Sequence, residues 1–142
     1  MKKYEVLEHV SDAYIEAYGC SIEEAFENAA LGMFDVMTDV SRVRRAFRDE
    51  FTVEAEDERS LLHEWLSTLH LKFEMDGRVY GSFKVHGIEK GEGTCRLTAE
   101  AYGEPFNPAR HPPKTEVKAV THHRMDVAES GGRWVVRFLL DL

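Results

Sequence analysis

Two carboxylates occupy positions from which they could hold a cation. Asp12 lies in His9-Val10-Ser11-Asp12, where one stretch of strand-like alternation stops and another starts. Asp141 is the penultimate residue and follows the apolar run Val135-Val136-Arg137-Phe138-Leu139-Leu140. Chain ends fray unless they are tied down, and an end this apolar belongs in a core sheet. Asp141 is therefore expected at a fixed place, beside the terminal carboxylate of Leu142. Anionic groups held close repel each other, and a bound cation relieves the repulsion. A donor set made only of oxygen suits Ca²⁺ or Mg²⁺ better than zinc. Each residue also has a plainer reading: Asp12 as a turn carboxylate accepting backbone hydrogen bonds, Asp141 as a solvated group at a chain end.

The other polar residues give weaker patterns. There are seven histidines, yet none is spaced for zinc. His122 and His123 are adjacent and face opposite sides of a strand, while His63 and His70 stand two helical turns apart. No HExxH, P-loop, GxGxxG or nucleophile elbow occurs, so no complete catalytic set is present. A two-aspartate metal site activating water is the one enzymatic route left open. The run Lys114 to His123, with Lys118 inside it, reads either as an exposed strand face or as a contact surface for a partner. Glu100, on a strand in Ala99-Glu100-Ala101-Tyr102, has the same two readings, and His9 is of interest for standing three residues from Asp12.

These residues need a scaffold, and the pattern supplies one. Alternation marks strands at 4–8, 13–18 and 51–55, then at 79–88, 95–101, 117–127 and 134–140. The strand at 117–127 is expected to be bulged. The last strand is apolar on both sides and is expected inside a sheet rather than at its edge. Ser21 with Glu24 forms a capping box that opens a helix ending near Thr38-Asp39. A second helix is predicted from about Ser60 to Asp76, closed by Gly77. Ser130-Gly131-Gly132 is a hairpin turn, and 105–113, which holds all four prolines, is a loop. The predicted class is α+β, with two main helices on one face of a mixed β-sheet in two layers.

Length and composition agree with one domain spanning residues 1–142. A chain this size buries about 68–70% of its unfolded surface without needing a disulfide. Cys20 and Cys95 are far apart and are read as buried or half-buried thiols in a reducing compartment. Acidic residues outnumber basic ones by 26 to 18, for a formal charge of −8. That sign disfavours strong independent nucleic-acid binding and favours a basic partner surface or a divalent cation. No stretch approaches a membrane span and the first residues lack an apolar signal core, so a cytoplasmic, soluble protein is expected. The absence of Gln and the presence of only Asn28 and Asn107 lean thermophilic.

The chain resembles the archease family. The matching pieces are His9-Val10-Ser11-Asp12, Glu23-Glu24-Ala25-Phe26, Leu62-His63-Glu64-Trp65-Leu66, Gly103-Glu104-Pro105, the Lys114-to-His123 segment and Phe138-Leu139-Leu140-Asp141-Leu142. Their order and the total length carry the resemblance over nearly the whole chain. Val10-Ser11 stands where family members often have Thr-Ala, and His122 where they often have an aromatic residue. The resemblance implies an activator of an RtcB-type tRNA-splicing RNA ligase, not an enzyme in its own right. It would promote guanylylation of the ligase, allow multiple turnover and broaden nucleotide use, and other RNA-processing enzymes are further partners to expect. The resemblance also implies a divalent cation, usually calcium, on Asp12, Asp141 and Leu142. The competing readings are a stand-alone metal-dependent phosphoester hydrolase and a general chaperone or modulator of RNA-processing proteins.

Overall fold

A computed structural model of the chain describes residues 2–9 and 11–142, with Glu8 and His9 described by their backbone alone. Seven strands and two helices follow in the order β1 (Tyr4–His9), β2 (Asp12–Gly19), α1 (Ile22–Met37), β3 (Phe47–Ala55), α2 (Glu58–Asp76), β4 (Arg78–Gly91), β5 (Thr94–Pro105), β6 (Ala119–Ser130) and β7 (Arg133–Asp141). The α+β class is as predicted. The single mixed sheet is not: the strands form two sheets, β1-β2-β7-β6 and β3-β5-β4, and every pairing is antiparallel. A mixed sheet needs at least one parallel pair, and no two hydrogen-bonded strands run parallel. Here β5 returns by a hairpin and inserts between β3 and β4, so these two run parallel without touching.

The helices pack against both sheets, not on one face of one. The reason lies in α1, whose buried residues cover more than a single stripe. A Cβ added at Gly32 would meet the Tyr4 ring of β1, while Phe34 sets its ring against Tyr80 and Phe83 of β4. A helix apolar on two sides needs cover on two sides. Helix α2 adds Trp65, fully buried, whose indole N–H donates to Phe26 O at 3.0 Å.

The helix ends are well satisfied. Ser21 Oγ accepts Glu24 N–H at 3.1 Å, and Glu24 Oε1 accepts Cys20 N–H at 2.6 Å. The reciprocal bond of a capping box thus falls one residue before the cap. Asp57 caps α2 by accepting Ser60 N–H at 2.8 Å, so this helix starts two residues before the predicted Ser60. The last four carbonyls of α1, which have no partner within the helix proper, are all engaged. Thr38 N–H reaches Phe34 O at 2.9 Å, Thr115 N–H reaches Val36 O at 3.2 Å and Lys114 N–H reaches Met37 O at 2.9 Å. Lys114 Nζ donates to Asp35 O at 2.6 Å. The segment after the proline loop therefore closes α1, and Lys114 brings a cation to a C-terminus whose last turn contains none.

Strand β7 lies between β2 and β6, as its two-sided apolarity predicted. Gly131 and Gly132, at φ +62° and +78°, make the two-residue turn of left-handed conformers that matches strand twist. The predicted bulge in β6 falls between Thr121 and Asp126. It places Arg124 at φ 60° with its guanidinium 4.0 Å from the centre of the Tyr14 ring.

Candidate functional site

Strand β2 begins at Asp12 and β7 ends at Asp141, and the antiparallel register sets these two residues directly opposite each other. Directly opposed residues share a face, with Cβ atoms roughly 4.5–5.5 Å apart. The next pair, Ala13 and Leu140, is fully buried on the core side. The two aspartates therefore point to the outer face, Asp12 half-buried and Asp141 exposed. On the far side of β7, Asp141 is opposite Ala119 of β6.

The chain end is tied down from both sides. Lys118 N–H donates to Asp141 O at 2.7 Å, and Leu142 N–H donates to Ser11 O at 3.2 Å. Leu142 also packs against the core. Asp12, Asp141 and Leu142 thus come together, with Lys118 joined through its backbone and its side chain exposed. His9 pairs by backbone with Ala13 beside them, while its side chain lies outside the described residues.

No ion pair or hydrogen bond engages either aspartate carboxylate among the described residues. Like charges directly opposite destabilise a sheet; a cation would relieve them, and the ligand atoms available to it are oxygens. That chemistry fits Ca²⁺ or Mg²⁺. Among the described residues no three His, Cys, Asp or Glu side chains gather as a metal-ligand set. Two carboxylates would complete a coordination sphere only with backbone oxygens, water or atoms of a partner. The pair His63 and His122 offers no substitute: the rings stack with centres 3.6 Å apart at 19°, and nearly parallel rings do not converge their lone pairs on one ion.

Glu100 is elsewhere. It sits on the outer face of the other sheet, opposite Glu50 and Lys84, and is only 8% exposed. Its carboxylate is 3.1 Å from Arg48 and 2.8 Å from His86. A hydrogen bond from Tyr102, with the charges of Arg48 and His86, holds its carboxyl below the usual range. The long neighbouring side chains cover a position that alternation reads as open to solvent.

A second polar centre involves a partner that the sequence pattern did not single out. Glu104, at the end of β5, is also 8% exposed, and His111 of the proline loop is fully buried. Glu104 Oε2 accepts Arg44 N–H at 3.0 Å and stands 2.8 Å from His111 Nε2. His111 Nδ1 accepts Asn107 N–H at 2.9 Å, so the ring hydrogen is on Nε2 and donates to Glu104. The Arg44 amide first, then His111 and Arg110, hold the Glu104 carboxyl below its usual range. Of the two cysteines, Cys95 is buried as expected and Cys20 is exposed, because it precedes the cap of α1.

The family model described as the archease protein family (MTH1598/TM1083) matches residues 4–142. The protein archease of Thermococcus kodakarensis is 45% identical over 143 residues, covering all of both chains. That of Methanosarcina mazei is 41% identical over 99% of this chain and 97% of its own. Among solved structures, the solution structure of Methanobacterium thermoautotrophicum protein 1598 is 38% identical, covers all of both chains and superposes with a TM-score of 0.83. The crystal structure of a Thermotoga maritima archease, described as a possible chaperone, covers 97% of this chain and 96% of that one, with a TM-score of 0.59 at 17% identity. Coverage of nearly the whole chain at this identity settles the matter: the protein belongs to the archease family.

Proposed function

We propose that this protein is an accessory factor of an RtcB-type tRNA-splicing RNA ligase. It raises guanylylation of the ligase, sustains multiple turnover and broadens nucleotide use, with a divalent cation, calcium, bound at Asp12, Asp141 and Leu142. The observation that carries the cation part is the register of β2 and β7, which opposes two carboxylates, without a partner among the described residues, at a clamped chain end. A cation there neutralises the pair; Asp12 and Asp141 supply side-chain oxygens and Leu142 a backbone oxygen. The formal charge of −8 supports docking on a basic surface, with an association that weakens as salt rises.

The test is RNA ligation with the ligase limiting, with and without this protein. The expected result is ligation past one product per ligase only when the protein is present, and loss of that gain with Asp12→Ala or Asp141→Ala. Full activation by both variants would remove the cation from the function. No effect of the wild-type protein on turnover or guanylylation would overturn the accessory role and turn attention to metal-dependent phosphoester hydrolysis and to other RNA-processing partners.

A further inference from the structure

We infer that His63 and His70 of α2 are positioning residues for the Asp12–Asp141 pair, holding the start of β6 so that it locks the Asp141 backbone in place. This rests on the cation reading above for its functional consequence, but its structural content stands alone.

The geometry is a match of two repeats. Seven helical residues rise about 10.5 Å, and three extended residues span about 10 Å. His63 and His70 therefore reach two carbonyls three residues apart. His70 Nε2 is 2.7 Å from Val117 O, and His63 Nε2 is 2.9 Å from Val120 O. A carbonyl only accepts, so each ring donates from Nε2. That N–H is present in the neutral tautomer and in the imidazolium alike, so the contact is a clamp and not a pH switch. Glu74 Oε1 stands 3.2 Å from the same His70 nitrogen, and His63 adds its stack on His122.

Between the clamped carbonyls lie Lys118 and Ala119. Lys118 N–H is the donor to Asp141 O, and Ala119 is the register partner of Asp141. Strand β6 is an edge of its sheet, paired on one side by β7. Helix α2 holds the chain at the two points flanking the dipeptide that fixes Asp141, Val117 just before the strand and Val120 inside it. The helix is itself immobilised by Leu62, Trp65, Leu66 and Leu69, all fully buried. The separation of the two aspartates is thus referred back to the core through two imidazoles.

The experiment compares the full-length wild type with His63→Phe/His70→Phe, which keeps a flat ring and removes the donors. The rescue variant is His63→Gln/His70→Gln, whose amide places N–H near the position of Nε2. Hydrogen exchange of the Lys118 amide is read by NMR, and calcium alone is titrated by calorimetry. A net hydrogen bond is worth about 1 kcal/mol, or about five- to tenfold in an equilibrium. The Phe variant is expected to exchange Lys118 about tenfold faster and to bind calcium about fivefold more weakly, with the Gln variant restoring both. Unchanged exchange in the Phe variant overturns the inference. So does faster exchange with unchanged calcium affinity, which leaves the clamp purely structural. If the wild type takes up no calcium, the cation reading fails by itself, and the clamp is judged on Lys118 exchange. If the double Phe variant does not fold, His70→Phe alone carries the same exchange measurement.

Discussion

Glu104 and the Asp12–Asp141 pair are both carboxylate sites at strand ends, and they are opposite in construction. Glu104 is surrounded by donors: a backbone amide, an imidazole whose tautomer is fixed from behind, and Arg110 at 3.4 Å. Both carboxylate oxygens are met from within the chain. Asp12 and Asp141 are instead set against each other by register, with their backbones clamped and their carboxylates unmet among the described residues. A carboxylate whose donors are internal is part of the fold. Carboxylates held rigidly without donors lower the stability of the free chain and raise its affinity for something positive. The same residue chemistry therefore serves architecture in one place and, under the function proposed above, recognition in the other.

The comparison breaks most visibly at Glu104. Glu104→Gln keeps the shape and one acceptor oxygen but removes the charge that three donors address. A cost of about 1.5–3 kcal/mol is expected, the range for hydrogen bonds to a charged group. The folded carboxyl is depressed relative to an unfolded value of about 4.3. Its contribution is complete above that unfolded value and is lost as pH falls through the lower folded one. Urea unfolding at pH 7 should show the full gap between wild type and variant, and the gap should close at pH values below about 4. A gap of constant size across that window would mean that the charge of Glu104 is not what holds the proline loop.

Lys114 tests whether the segment next to the candidate site can be weakened without touching recognition. Lys114→Met removes the Nζ bond to Asp35 O and the cation at the α1 C-terminus, while the backbone bonds from Lys114 and Thr115 remain. About 1 kcal/mol of stability should be lost, read as a lower midpoint in thermal unfolding. Calcium affinity should not change, because Asp141 is held by Lys118 and not by Lys114. A parallel fall in affinity would show that the whole of 114–118 acts as one unit and that the separation drawn between fold and site is too sharp.

What could be read from the sequence was local. The period of Ala25, Phe26, Ala29, Ala30, Met33 and Phe34 gave α1, and the two-sided apolarity of Trp134 to Leu140 put β7 inside a sheet. Which strands pair is decided by the return of distant segments, and the insertion of β5 between β3 and β4 has no local signature. Asp12 and Asp141 could each be singled out by position, but their opposition rests on a register spanning almost the entire chain. His111 sat in a stretch whose four prolines spoke only of a loop, so its bond to Glu104 was hidden. Glu100 followed the outward half of an alternating strand, and alternation takes no account of Arg48 and His86 folding over it. The helix histidines were too far apart to share a metal, and that same spacing suits a strand edge.

The smallest expected effect has the sharpest sign. Asp12→Asn or Asp141→Asn relieves a like-charge pair, and cross-strand pairs of this kind are worth about 0.2–1 kcal/mol. In chelator at low salt each single variant should unfold at a slightly higher temperature than wild type. The double variant should add little to either single one, because both remove the same repulsion. Acid-to-amide substitution would then stabilise at this pair while it destabilises at Glu104. Added calcium should reverse the order, since a ligand stabilises only the chain that binds it, by RT ln(1 + [L]/Kd). If the single variants lose stability in chelator as Glu104→Gln does, Asp12 has internal donors and is an ordinary turn carboxylate, and the contrast between the two regions disappears.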